Sequence, residues 1–126
     1  GFVIPLCATI HLSGSMIKLM LYAFALIYMT GMDVSASKAI GFMLLLAITM
    51  IAAPGVPGGA VMVATGLLSE MMGFNDSMVA LMIAAYIVID SVGTAANVTG
   101  DGAIALIVEK FAPSSRKQTQ PAGSPE

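Results

Sequence analysis

From Ala39 to Ser69 the chain carries no ionisable side chain, and from Gly1 to Met32 the only basic or acidic groups are His11 and Lys18. Runs of that length exceed the roughly 20 apolar residues that cross a bilayer. A soluble fold could not cover its surface with them, because folded domains in water need a mixed, charge-bearing exterior. Of the 126 residues, 58% are hydrophobic and 10% charged. The expected class is therefore an all-α integral membrane protein, in which every buried backbone group is satisfied within helices.

The remaining charge narrows the options. A net charge of −2 without a basic patch gives no footing for nucleic acid. Lys110, Arg116 and Lys117, three of the five basic residues, lie at the C-terminal end. By the positive-inside bias they put that end in the cytoplasm of a multi-pass protein of the plasma (inner) membrane. The single Cys7 has no intrachain disulfide partner, and the eleven Met residues read as packing filler. Gly1 opens the chain with neither an initiator Met nor a signal-peptide pattern, which suggests a start inside a longer protein.

Breakers divide the chain into four regions. Residues 1–32 form a transmembrane helix interrupted at His11-Leu12-Ser13-Gly14-Ser15, where the small residues are expected to free the backbone. Residues 38–72 hold two apolar arms, Ala39–Ala53 and Ala60–Met72, around the tip Pro54-Gly55-Val56-Pro57-Gly58-Gly59. Two prolines and three glycines cannot sit inside one helix. At 1.5 Å per residue each arm is about 20 Å long, short of the roughly 30 Å hydrocarbon core. The pattern predicts a re-entrant hairpin whose tip stops part-way through the membrane; a single kinked helix is the alternative. Residues 75–112 read as one long transmembrane helix, with Asn75 or Asp76 as its cap. Residues 113–126, rich in Pro, Ser and Gln, read as a disordered cytoplasmic tail.

Two constellations can carry chemistry. Asp90, Thr94, Asn97 and Asp101 fall at i, i+4, i+7 and i+11, on one narrow face of a helix otherwise made of Val, Ile, Ala and Gly. Carboxylates are costly in lipid, so such a stripe faces protein or an aqueous path. Oxygen-rich faces suit a hard cation such as Na⁺, a substrate ammonium group or a proton relay; a polar seam between helices is the structural alternative. In the first region, His11 is either a proton-titrating group or a hydrogen-bonded helix neighbour. Lys18, seven residues on and on the same face, either snorkels to an interface or pairs with a carboxylate.

These residues resemble the dicarboxylate/amino acid:cation symporter family, which includes the glutamate transporters and neutral amino acid exchangers. Pro5-Leu6-Cys7-Ala8-Thr9-Ile10 looks like the start of that family's broken seventh helix. Gly55-Val56-Pro57-Gly58-Gly59 looks like the tip of its second hairpin. Asp90 through Asn97-Val98-Thr99-Gly100-Asp101 looks like its eighth-helix signature. The resemblance runs to about Lys110 and implies the C-terminal part of a cation-coupled secondary transporter, not an enzyme, carrying an amino acid or dicarboxylate. It implies that Asp90 receives the substrate amino group, with Ser15, Val56, Gly59, Thr94 and Asn97 around the substrate. It implies one sodium site from Asp101 with the carbonyls of Cys7, His11 and Asn97, and another from carbonyls near Thr9 and the hairpin. A homotrimer is implied for the full-length parent.

Departures from the family pattern carry their own expectations. His11-Leu12-Ser13-Gly14 stands where Asn-Met-Asp-Gly is usual, which removes a carboxylate and an amide from a further sodium site and makes proton coupling through His11 a partial substitute. Gly93 stands where carriers of acidic substrates have arginine, which favours a neutral or small polar amino acid unless Lys18 supplies the missing charge. An intramembrane aspartyl protease would need carboxylates facing each other from different helices, one of them in Gly-x-Gly-Asp; Val98-Thr99-Gly100-Asp101 lacks the first glycine. A channel with a re-entrant filter loop leaves the acidic stripe without a role.

Overall fold

The computed structural model describes residues 2–53 and 56–112. The expectations for the tail 113–126 and for tip residues Pro54 and Gly55 fall outside the described residues. Six helices follow in order: α1 (Val3–Ile10), α2 (Ser13–Thr30), α3 (Ala36–Met50), α4 (Gly59–Met72), α5 (Asp76–Val88) and α6 (Asp90–Phe111). There is no strand among the described residues. The stretch Val3–Thr30 and the helix Asp90–Phe111 are each long and apolar enough to cross a membrane.

Local chemistry sets most of the boundaries. The side chain of Ser35 accepts from the Lys38 N–H to start α3, and that of Asn75 accepts from the Met78 N–H to start α5. Gly31 and Gly73 end α2 and α4 in the left-handed conformation that glycine adopts without a Cβ penalty. The core forms where heptad-like apolar rows meet: Leu19 and Ala23 of α2, Phe42, Leu46 and Met50 of α3, Val61, Ala64 and Leu68 of α4, and Met82 and Tyr86 of α5 are all buried. Phe2, Tyr28, Met29, Val88 and Phe111 stay exposed, which suits an apolar surrounding.

α3 and α4 pack against each other. The loops at their outer ends, holding Met32 and Gly73, line one shared cavity. Both helices, of 15 and 14 residues, are about 20 Å long.

Two boundaries differ from the sequence reading. The interruption in the first region is confined to His11 and Leu12, and Ser13, Gly14 and Ser15 form the first turn of α2 instead of unwound backbone. The last region is not one continuous helix. It breaks at Ile89, which has φ −116° and ψ 29° and separates α5 from α6. No proline or glycine marks that break, and a lysine from α2 meets the backbone there.

Candidate functional site

α6 is the element around which the polar groups are organised, and it packs on both α1 and α2. The approach to α2 is close because Gly14 has no side chain. A Cβ there would lie 2.5 Å from Ala96 Cβ and 2.7 Å from the Gly93 carbonyl oxygen. Small residues at a crossing let two apolar helices come together and exchange polar contacts.

Three such contacts tie α6 to its neighbours. The first involves Asn97, whose Oδ1 accepts from the backbone N–H groups of Gly14 (2.8 Å) and Ser15 (3.3 Å), while its Nδ2 donates to Ser15 Oγ at 3.0 Å. The first N–H groups of α2 have no partner within their own helix, and no cap side chain precedes them. Asn97 supplies the cap from a residue more than eighty positions away.

The second contact is an ion pair. Lys18 Nζ donates to Asp90 Oδ1 at 3.0 Å and to the carbonyls of Ile89 (3.3 Å) and Tyr86 (3.4 Å). The same ammonium lies 3.5 Å from the centroid of the Tyr86 ring, a favourable cation–π placement. The ammonium thus meets the backbone where the chain leaves helical geometry at Ile89, whose carbonyl also accepts from the Val92 N–H at 3.2 Å, an insertion of the kind that accompanies helix breaks. The other oxygen of Asp90 accepts from the Gly58 N–H, at 3.3 Å, on the start of α4. Gly58 has φ +76°, and a Cβ there would press on Ile87.

The third contact joins His11, at the break between α1 and α2, to Asp101. His11 Nδ1 and Asp101 Oδ1 are 2.8 Å apart. Gly100 makes room for the imidazole, because a Cβ at that position would overlap His11 Cε1.

These elements enclose a cavity of about 380 Å³ lined by residues of all of them. Ser15, Val56, Gly59, Asp90, Thr94 and Asn97 line it, as do His11 and Asp101. Cys7 and Thr9 do not. Cys7 is buried, and its carbonyl accepts from the His11 N–H at 2.8 Å. Thr9 is exposed, with its hydroxyl turned back on the Leu6 carbonyl. Thr94 also bonds its own helix, donating to the Asp90 carbonyl at 3.2 Å. Tyr86 lines the cavity as well, a residue that the sequence motifs did not single out.

What the cavity can do follows from its lining. Hydroxyl, amide and carboxylate groups converge with the glycine backbone of the α4 start, and among the described residues no buried side-chain N or O lacks a partner. Ala8 of the last turn of α1 and His11 at its end line the cavity together with Asp101, and among the described residues there is no cluster of side chains that could hold a metal ion. Asp90 and Asp101 are eleven residues apart on one helix, about 16 Å along its axis. Carboxylates so separated and differently partnered cannot share a proton as an acid dyad does.

The Sodium:dicarboxylate symporter family model matches residues 1–111 of the chain. The proton/sodium-glutamate symport protein of Bacillus caldotenax is 31% identical to it over 111 residues, covering 88% of this chain and 26% of that protein. The chain thus spans about a quarter of the length of that relative. No solved structure matches the chain at a comparable level.

Proposed function

Because the chain belongs to the sodium:dicarboxylate symporter family, a family of membrane transporters and not of enzymes, we propose that its cavity is the shared substrate and cation compartment of a cation-coupled carrier. One observation carries this reading. Eight of the residues marked as substrate or cation ligands on sequence grounds, drawn from three separate regions, line one cavity. A structural seam would need hydrogen bonds between α2 and α6, but not an open volume bounded by both carboxylates.

In this reading a carboxylate-bearing small molecule, an amino acid or a dicarboxylate, occupies the space among Ser15, the glycines at the α4 start, Asp90, Thr94 and Asn97. The co-transported cation, sodium with a proton as the other candidate, sits by Asp101 at the end of α1. α3 and α4 act as a re-entrant hairpin, too short to cross, with residues 56–59 over the cavity and both outer loops on the external side. The C-terminus faces the cytoplasm of a plasma-membrane protein, and the full-length parent assembles as a homo-oligomer. Cysteine and threonine at positions 7 and 9 enter only through backbone carbonyls, since neither side chain reaches the cavity.

The test is uptake by a full-length carrier containing this chain, reconstituted in liposomes. Concentrative uptake of a carboxylate substrate that follows an imposed cation gradient is expected, and Asp101→Asn should abolish the cation dependence. Flux that never saturates and ignores the gradient would indicate a channel and sink the proposal.

A further inference from the structure

Lys18 and Gly93 form a unit that the proposed binding roles leave unused. The side chain of Lys18 is 8% exposed and that of Asp90 25%. Asp90 lines the cavity; Lys18 lies behind it, in a separate apolar recess with Ile17, Leu21, Val92 and Ala96. All three ammonium protons have acceptors: Asp90 Oδ1 and the carbonyls of Tyr86 and Ile89. A Cβ on Gly93 would stand 3.1 Å from Lys18 Nζ and 3.3 Å from its Cε. The ammonium therefore sits against the space that a side chain at position 93 would take, and a Cβ there would press on it and make it shift.

A carboxylate beside a fixed ammonium is a neutral pair as seen from the cavity. An incoming substrate ammonium would gain the attraction of Asp90 and meet the repulsion of Lys18 a few ångströms farther on, while still giving up its own water. A substrate without an ammonium group meets neither cost. Two molecules that share their carboxylates and differ only in that group are distinguished by this term alone, because everything else in their recognition cancels.

We propose that Lys18, acting through Asp90, is a specificity-determining residue that makes this cavity select carboxylates lacking an α-ammonium group over the corresponding amino acids. The inference rests on the cavity being a substrate compartment, and it reverses the preference for a neutral amino acid that Gly93 alone suggested.

The experiment measures inhibition of cation-driven uptake by succinate and by aspartate, which differ by one ammonium group, in the full-length carrier. The wild type should favour succinate by at least about tenfold, as like-charge juxtaposition commonly produces. Lys18→Gln removes the charge while its amide keeps two N–H donors for the three acceptors that the ammonium serves. It should shift the inhibition ratio at least about tenfold toward aspartate. Lys18→Arg retains the charge and should hold the wild-type ratio, a rescue that a purely structural role would not predict. A wild-type preference for aspartate overturns the inference outright, even if neither variant reaches the membrane. An unchanged ratio in a well-expressed Lys18→Gln carrier overturns it too. Absence of any cation-driven carboxylate uptake counts instead against the carrier reading on which it rests.

Discussion

Replacing Gly14 by alanine adds one methyl group, and the geometry says it should be badly tolerated. The new Cβ would lie 2.5 Å from Ala96 Cβ, 2.7 Å from the Gly93 carbonyl oxygen and 3.2 Å from Asn97 Oδ1. Carbon atoms pack at about 3.5–4.0 Å, and the carbonyl is backbone that cannot rotate aside. α2 and α6 must therefore part by about 1 Å, an overpacking cost of about 1–3 kcal/mol. The same movement stretches the 2.8 Å and 3.3 Å bonds from the Gly14 and Ser15 N–H groups to Asn97 past useful length, at about 1 kcal/mol each. The opposing gain in helix propensity is about 1 kcal/mol. A net loss of about 2–4 kcal/mol is expected. Gly102 supplies the control: it is also helical, but a Cβ there meets nothing within 4 Å. Gly102→Ala should be neutral or stabilising by up to about 1 kcal/mol. The assay is the fraction of monodisperse full-length carrier left after heating in detergent, read by size-exclusion chromatography. Gly14→Ala should lower the midpoint by several degrees and Gly102→Ala should not. Equal midpoints for the two variants would refute the close α2–α6 crossing.

Asn97→Ala removes the cap on α2 together with the bond to Ser15 and should destabilise the carrier by about 1–3 kcal/mol in the same heating assay; Ser15→Ala, which spares the backbone cap, should cost less. Cysteines placed at Asp33 and Asn75 should both react with an impermeant reagent added outside the cell, and labelling of only one would exclude the re-entrant hairpin. Gly100→Ala should displace the His11 imidazole from Asp101, because the added Cβ overlaps the ring, and should change the sodium concentration for half-maximal uptake while Gly102→Ala leaves it alone.

The family resemblance carried by three short motifs is borne out by a match over residues 1–111. Its legibility has a physical basis. Membrane class, the polar stripe of α6 and the gap between α3 and α4 are local properties: hydropathy along the chain, helical periodicity and the conformational limits of proline and glycine. Asp90, Thr94, Asn97 and Asp101 could be placed on one face without any tertiary knowledge, because 3.6-residue geometry fixes it.

The partners of those residues were decided only by packing. Lys18 and Asp90 are 72 positions apart, and His11 and Asp101 are 90 apart, so no periodicity could distinguish a snorkelling lysine from a paired one. Sequence placed the first break over His11–Ser15, since serine and glycine are poor helix-interior residues. Tertiary structure confined it to His11 and Leu12, because Asn97 caps the N–H groups of Gly14 and Ser15 and makes a helix start affordable there. The break at Ile89 had no local signal, isoleucine being an ordinary helix residue. Only the tertiary structure brings the buried Lys18 ammonium to it, where one carboxylate oxygen and the carbonyls of Tyr86 and Ile89 supply the three acceptors that a buried ammonium needs.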